Sequence, residues 1–346
     1  MTRTLLTVVG ARPQFIKAAP VSRALRLQAS LREVLVHTGQ HFDPSMSDVF
    51  FSELGLRDPD YNLDIHGGSH GAMTGRMIVA LEQLMMSVRP DAVVIYGDTN
   101  STLAAAVVAA KLFVPIAHIE AGLRSFRPMP EEINRVIADR VSRWLFCPTD
   151  AAVLNLAAEG VKDGVHNVGD VMYDATLMTA DRAQTQSTIV ARLGLVPGAF
   201  DLATIHRAEN TDTPEALREV ADYLVMSARS TPIVLPLHPR TREAAARFGV
   251  DLSSLRVIDP VGYLDMTALL SHCRQVLTDS GGLQKEAYFH RKPCVTLRDA
   301  TEWTETVEHG WNRLWRNTDY APRREIAAYG DGKAAEKIAS VLAAEV

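Results

Sequence analysis

Short runs of Val, Ile and Leu alternate along the chain with longer stretches whose apolar residues recur at helical spacing. In the first half the runs are "TLLTVVG", "REVLVHTG", "DAVVIYGD", "VPIAHIEA" and "RWLFCPT". In the second half they are "DLATIHRA", "TPIVLPLHP", "LRVIDP", "RQVLTDS" and "PCVTLRD". A strand covered by helices on both faces is apolar at successive positions, not alternate ones, so these runs predict parallel sheets in an α/β protein. The stretch "VGDVMYDA" at 168–175 falls between the two series and is the expected hinge. The last residues, "GKAAEKIASVLAAEV", predict an amphipathic helix.

The 346-residue length suits two such domains. The expected boundaries are 1–168 and 169–331, with the terminal helix 332–346 packing back on the first domain. Composition narrows the class further. The formal net charge of −5 argues against a general nucleic-acid binder. No apolar stretch approaches the roughly 18–20 residues of a membrane span, and the opening apolar run reads as a strand, not a signal peptide. Cys147, Cys273 and Cys294 are scattered, without CxxC spacing, so reduced thiols and a cytoplasmic location are expected.

In open parallel sheets, ligands bind beyond the carboxyl ends of the strands, so the residues just after each run carry the chemistry. "GARPQFIK" offers Arg12 in a loop and Lys17 on the following helix, both suited to a diphosphate. It contains no GxGxxG, which argues against a dinucleotide cofactor. Asp98 follows a strand and reads equally well as a helix cap or a functional acid. Glu120 ends an apolar, buried strand, where a structural role for a carboxylate is harder to find. In "MPEEINRV", Glu131 and Glu132 suit a helix's first turn, and neighbours about 100° apart cannot both face one site.

His206 and Arg207 follow a strand in "TIHRAEN", and His238 does so in "LHPRTR". Neither these histidines nor His66 and His70 in "HGGSH" fall into HExxH or pair with cysteines, so no metal is expected. No G-x-S-x-G elbow marks a serine hydrolase. "LTDSGGLQKEAY" places Ser280, Gly281 and Gly282 where a strand gives way to a helix, with Glu286 one turn inside. A capped turn accounts for the pattern. So does an anion site, because helix N-termini present free amides and a positive dipole end. Basic and phosphate-type features in both halves, with acids mainly in the first, suit a nucleotide diphosphate carrying a neutral group.

The segments "GARPQFIKAAP", "HTGQHFD", "GDTNSTLA", "HIEAGLRS", "PEEINR", "TIHRAEN", "LPLHPR" and "LTDSGGLQKEA" together resemble the non-hydrolysing UDP-N-acetylglucosamine 2-epimerases, over residues 4 to about 314. The resemblance implies a glycosyltransferase-B architecture, two Rossmann-like domains whose parallel sheets face a central cleft, in a homodimer without a cofactor. It assigns catalysis to Asp98, Glu120, Glu131 and His206, and UDP-sugar binding to Arg12, Ser280, Gly281, Gly282 and Glu286. Lys17, Arg207 and His238 join the binding candidates by their strand-end positions. The choice of Glu131 over Glu132 rests on the motif alone.

The implied reaction inverts carbon 2 of UDP-N-acetylglucosamine by eliminating and re-adding UDP, supplying cell-surface polysaccharide precursors. Features of "RPQ", "LDIHGGSHGAMTGRM" and "RDATEWTETVEHGWN" look closest to the subgroup acting on UDP-2,3-diacetamido-2,3-dideoxyglucuronate, a lipopolysaccharide precursor. There Gln14, standing for the family's usual Glu, would spare a uronate a charge repulsion. A glycosyltransferase sharing the fold is the rival class; it would need an acceptor. Gln40 and His41 are followed by Phe42 and Asp43 where relatives with an activating second UDP-sugar carry Gln-His-Arg, so no obligatory activation is expected.

Overall fold

A computed structural model describes residues 2–40, 51, 53–126 and 128–346. The chain divides into two compact units: residues 1–177 with 327–346, and residues 178–326. The passage from one to the other falls inside the helix Val171–Gln186.

The first unit is built on a seven-stranded sheet in the order β3-β2-β1-β4-β5-β6-β7. Its strands are β1 (Arg3–Val9), β2 (Leu31–His37), β3 (Tyr61–Asn62), β4 (Ala92–Tyr96), β5 (Ile116–Ile119), β6 (Trp144–Cys147) and β7 (Val165–Asn167), every pairing parallel. Leu6 and Val8 of β1, Val34 and Val36 of β2, and Val93 and Ile95 of β4 pack on Met77 and Leu81 of the helix His70–Val88 and on Ala104 and Ala105 of the helix Asn100–Lys111. The helix Arg12–Arg26 packs against the terminal helix Ala334–Glu345. Asp174 accepts the amides of Ala334 (3.2 Å) and Ala335 (2.8 Å) and so caps that terminal helix.

The second unit has a six-stranded parallel sheet in the order β10-β9-β8-β11-β12-β13. These strands are β8 (Asp201–Thr204), β9 (Ile233–Pro236), β10 (Arg256–Ile258), β11 (Val276–Thr278), β12 (Cys294–Thr296) and β13 (Asn312–Leu314). Ala203, Leu235, Leu277 and Val295 belong to one core, and their neighbours Leu202, Val234, Val276 and Cys294 to another. Alternate residues thus enter cores on opposite faces, which is why these strands read as continuous apolar runs. The ten expected strands form. Three short ones, β3, β7 and β13, were not anticipated: "YN" and "VHN" lack an apolar run, and both their strands sit at sheet edges.

In each sheet the chain order reverses at one place, between β1 and β4 and between β8 and β11. The loops leaving those strands carry Gly10–Arg12, Gly97–Asp98, Ile205–Arg207 and Asp279–Gly282. Such reversals splay neighbouring loops apart and open a crevice at the carboxyl edge.

Candidate active site

The first unit gathers carboxylates and cations at its switch point. Lys17 lies on the second turn of the helix Arg12–Arg26, buried, with its ammonium bonded to the Glu120 carboxylate. Glu120 follows β5 with φ of +69°, a left-handed conformation that a non-glycine residue adopts only when its surroundings enforce it. Gly97, also left-handed, leaves room for the pair: a Cβ there would lie 3.0 Å from Glu120 Oε2 and 3.4 Å from Lys17 Nζ.

Asp98 is ion-paired to Arg135 of the helix Pro130–Val141. Burial, opposed by Arg135 and Lys17 and reinforced by Glu120, holds the Asp98 carboxyl above the usual carboxylate range. Asn134 donates 2.8 Å to the Asp98 carbonyl and fixes the loop to the same helix. Gly97 O receives the ring of buried His118 at 2.8 Å, and the other ring nitrogen lies 2.7 Å from Asp139, which Arg124 also holds at 2.8 Å.

The adjacent acids on that helix differ. Glu132 accepts from Ser125 N, Ser125 Oγ and Arg135 Nη1, each at 2.9 Å, and these bonds hold it below the usual range against the effect of burial. Glu131, half-buried, has no hydrogen-bond partner among the described residues.

Arg12 is the first residue of its helix, not a loop residue as expected, because Pro13 is compatible with a helix's first turn. Gln14 also differs from expectation. It is buried, accepting from Gly10 N (2.8 Å) and Ala11 N (3.1 Å) and donating to Tyr96 O (2.9 Å) and Thr102 Oγ1 (3.0 Å). All four bonds of its amide are used inside the protein, so it cannot meet a sugar, and the charge-relief argument for Gln14 fails. Gln40 is likewise engaged, accepting from Ser101 N (3.1 Å) and Ser101 Oγ (2.8 Å); His41, Phe42 and Asp43 lie outside the described residues. The glycines of "HGGSH" precede a helix and do not interrupt one: Gly67 and Gly68 are left-handed, and Ser69 caps His70–Val88.

In the second unit, Ser280 caps the helix Gly281–Phe289, accepting from Leu283 N. The two glycines after it have different causes. A side chain on Gly281 would collide with Glu302 and crowd Trp303, so packing requires that glycine. A Cβ on Gly282 would meet nothing within 4 Å. Neither φ nor packing demands glycine there, so the space beside Gly282 is open. Glu286, one turn on, is buried.

Asp279, fully buried, organises the opposite loop. It accepts from His206 N (3.0 Å), Arg207 N (2.9 Å) and Asn210 Nδ2 (3.0 Å), and His206 Nδ1 lies 3.3 Å away. That contact orients the ring toward Asp279. Arg207 lies 3.9 Å from Glu302, which Arg298 binds at 2.9 Å. His238 caps the helix Pro239–Phe248 through Nδ1, which accepts from Arg240 N at 3.3 Å.

The structure therefore brings Lys17, Asp98 and Glu120 together, with Glu131 on the helix that holds Asp98. It sets His206 and Arg207 beside the Ser280–Gly282 turn through Asp279. Sequence reasoning passed over Arg135 and Asn134. Only the Arg135 spacing, one turn after Glu132, could have signalled them.

Residues 23–343 match the family described as UDP-N-acetylglucosamine 2-epimerase. The chain belongs to that family. It is an isomerase, and its two parallel-sheet α/β units are of the glycosyltransferase-B type. A UDP-2,3-diacetamido-2,3-dideoxy-D-glucuronate 2-epimerase from Pseudomonas aeruginosa is 51% identical, covering 98% of this chain and 99% of that one. The crystal structure of the Methanocaldococcus jannaschii UDP-GlcNAc 2-epimerase in complex with UDP-GlcNAc and UDP superposes with a TM-score of 0.87 at 38% identity, over 98% and 99% of the two chains. The Neisseria meningitidis UDP-GlcNAc 2-epimerase bound to UDP-GlcNAc gives 0.87 at 29%, with the same coverages. Among the described residues no helix is long and apolar enough to cross a membrane.

Proposed function

We propose that this epimerase inverts carbon 2 of UDP-2,3-diacetamido-2,3-dideoxyglucuronate, a precursor of lipopolysaccharide, without a cofactor. The observation that carries the sugar assignment is the 51% identity to the P. aeruginosa enzyme over nearly the whole of both chains, against 38% and 29% to the two UDP-GlcNAc epimerases. Plain UDP-N-acetylglucosamine is the second reading, favoured by those two structural neighbours.

The diphosphate belongs at the Ser280–Gly282 turn, where a helix begins and the space beside Gly282 is open. His206 and Arg207 add cationic or donor capacity, Glu286 meets the ribose, and His238 stands at a neighbouring strand end; Arg12 is the first unit's own diphosphate-binding candidate. Carbon 2 has no adjacent carbonyl, so its proton becomes acidic only as the bond from carbon 1 to UDP breaks. The bonding pair of that C–O bond leaves on the β-phosphate oxygen, where positive groups stabilise it. A carboxylate takes the carbon-2 proton, and the C–H pair becomes a double bond between carbons 1 and 2. Protonation of this glycal on the opposite face, with return of the phosphate oxygen to carbon 1, completes inversion. Asp98, Glu120 and Glu131 are the acid/base groups. Asp98, raised by burial, is suited to hold a proton nearer neutrality than an ordinary aspartate.

Turnover in deuterium oxide should place deuterium at carbon 2 of the product with no acceptor added. Product without deuterium would count against elimination, and a requirement for an acceptor would indicate a transferase. Side-by-side rates with the two UDP-sugars decide the substrate: turnover of UDP-N-acetylglucosamine alone would overturn the uronate assignment.

We further infer a homodimer in the cytoplasm. Val79 and Met86 on His70–Val88 and Phe113 just beyond Asn100–Lys111 are 56%, 62% and 94% exposed on neighbouring helices, an apolar face that suits a second copy. Three buried, unpaired cysteines suit a reducing compartment.

A further inference from the structure

We infer that the indole N–H of Trp303 is a diphosphate donor, an additional member of the Ser280–Gly282 anion site. This rests on the reading of that turn as the UDP site. Trp303 Nε1 is buried, with no hydrogen-bond partner among the described residues. A buried donor without an acceptor is unfavourable, and native structures keep few of them without a reason. This one lies beside the turn: Nε1 is 3.3 Å from the point a Gly281 Cβ would occupy.

The ring has a second unusual neighbour. Lys285, on the helix that the turn begins, is 2% exposed, and its Nζ lies 4.1 Å from the Trp303 ring centroid. A cation over an aromatic face is attracted to it and draws electron density from the ring. An indole polarised in this way is a stronger N–H donor, and the nearby ammonium adds to the positive potential that an anion would feel. The fixed carboxylate nearby, Glu302, is engaged by Arg298 at 2.9 Å and does not accept from Trp303. The helix amides, the indole N–H and the buried ammonium together favour one kind of ligand, a phosphate group.

Trp303→Phe keeps an aromatic ring near Lys285 and deletes the donor together with part of the indole. Calorimetric titration of the full-length protein with UDP should show affinity lowered about 10-fold or more, the usual worth of a hydrogen bond to a charged group. Uridine binding should be unchanged. UDP binding within twofold of wild type would overturn the assignment. A second measurement uses the wild-type protein with ¹⁵N-labelled indoles, its four tryptophans resolved by single Phe replacements of Trp144, Trp311 and Trp315. UDP should move the Trp303 N–H resonance downfield, and an unmoved resonance would overturn the proposal even if the Phe variant misfolds. Failure of the wild-type protein to bind UDP would remove the UDP reading of the turn and this inference with it, whereas UDP binding that ignores Trp303 would remove this inference alone.

Discussion

Lys17 and Glu120 form an ion pair whose side chains are only 11% and 10% exposed, although they come from a helix after β1 and a loop after β5. A buried pair with one member removed leaves the other's charge uncompensated, at a cost of about 3–5 kcal/mol. Lys17→Met should therefore lower both stability and turnover, because the buried Glu120 carboxylate would lose its ammonium partner. Denaturant melts and kcat on the same preparation check this. A variant as stable and active as wild type would show that the pair is dispensable.

Asp98 and Arg135 carry the pH dependence. The Asp98 carboxyl already lies above its ordinary range, and Arg135 opposes that rise. Removing the cation should raise it further, so in Arg135→Met the acid limb of the kcat–pH profile should move to higher pH. Arg135→Lys should reverse part of that shift. The same sign holds for stability: a carboxyl raised in the folded state contributes stability at low pH that is lost as pH rises through the folded value. An acid limb that stays in place would mean Asp98 is not the titrating group.

Glu131 and Glu132 should separate cleanly. Glu131→Gln removes no hydrogen bond among the described residues and should keep the melting temperature while lowering kcat by about 10²–10⁴. Glu132→Gln weakens the bonds to Ser125 and Arg135 and should cost about 1–3 kcal/mol of stability. The opposite pattern would exchange their roles.

Gln14→Glu should leave the preference between the two UDP-sugars unchanged, since the side chain is sealed beneath Gly10 and Tyr96. It should destabilise the fold more at pH 8 than at pH 5, because only the protonated carboxyl can donate to the Tyr96 carbonyl. Thermal melts at the two pH values and a rate comparison decide it.

Asp279→Asn should lower kcat through His206. The asparagine still fills the space but no longer offers a carboxylate to the His206 ring or to the amides of His206 and Arg207. Lowered stability with unchanged kcat would reduce Asp279 to a structural anchor.

Much of this was legible in the chain alone. Continuous apolar runs such as "DAVVIYGD" and "RQVLTDS" determine buried parallel strands, since only a strand covered on both faces can be apolar at successive positions. Strand-end placement follows directly, which is why Asp98, Glu120, His206 and Ser280 were already candidates. Which partner each side chain takes was decided by tertiary structure. Nothing local distinguishes Glu131 from Glu132 until Ser125, from a preceding loop, bonds the second. The burial of Gln14 was not legible locally, because its partners Tyr96 and Thr102 lie more than 80 residues away. Gly281 and Gly282 are identical letters in the sequence. Only the packing of Glu302 and Trp303 shows that one is required by the protein and the other leaves room for something else.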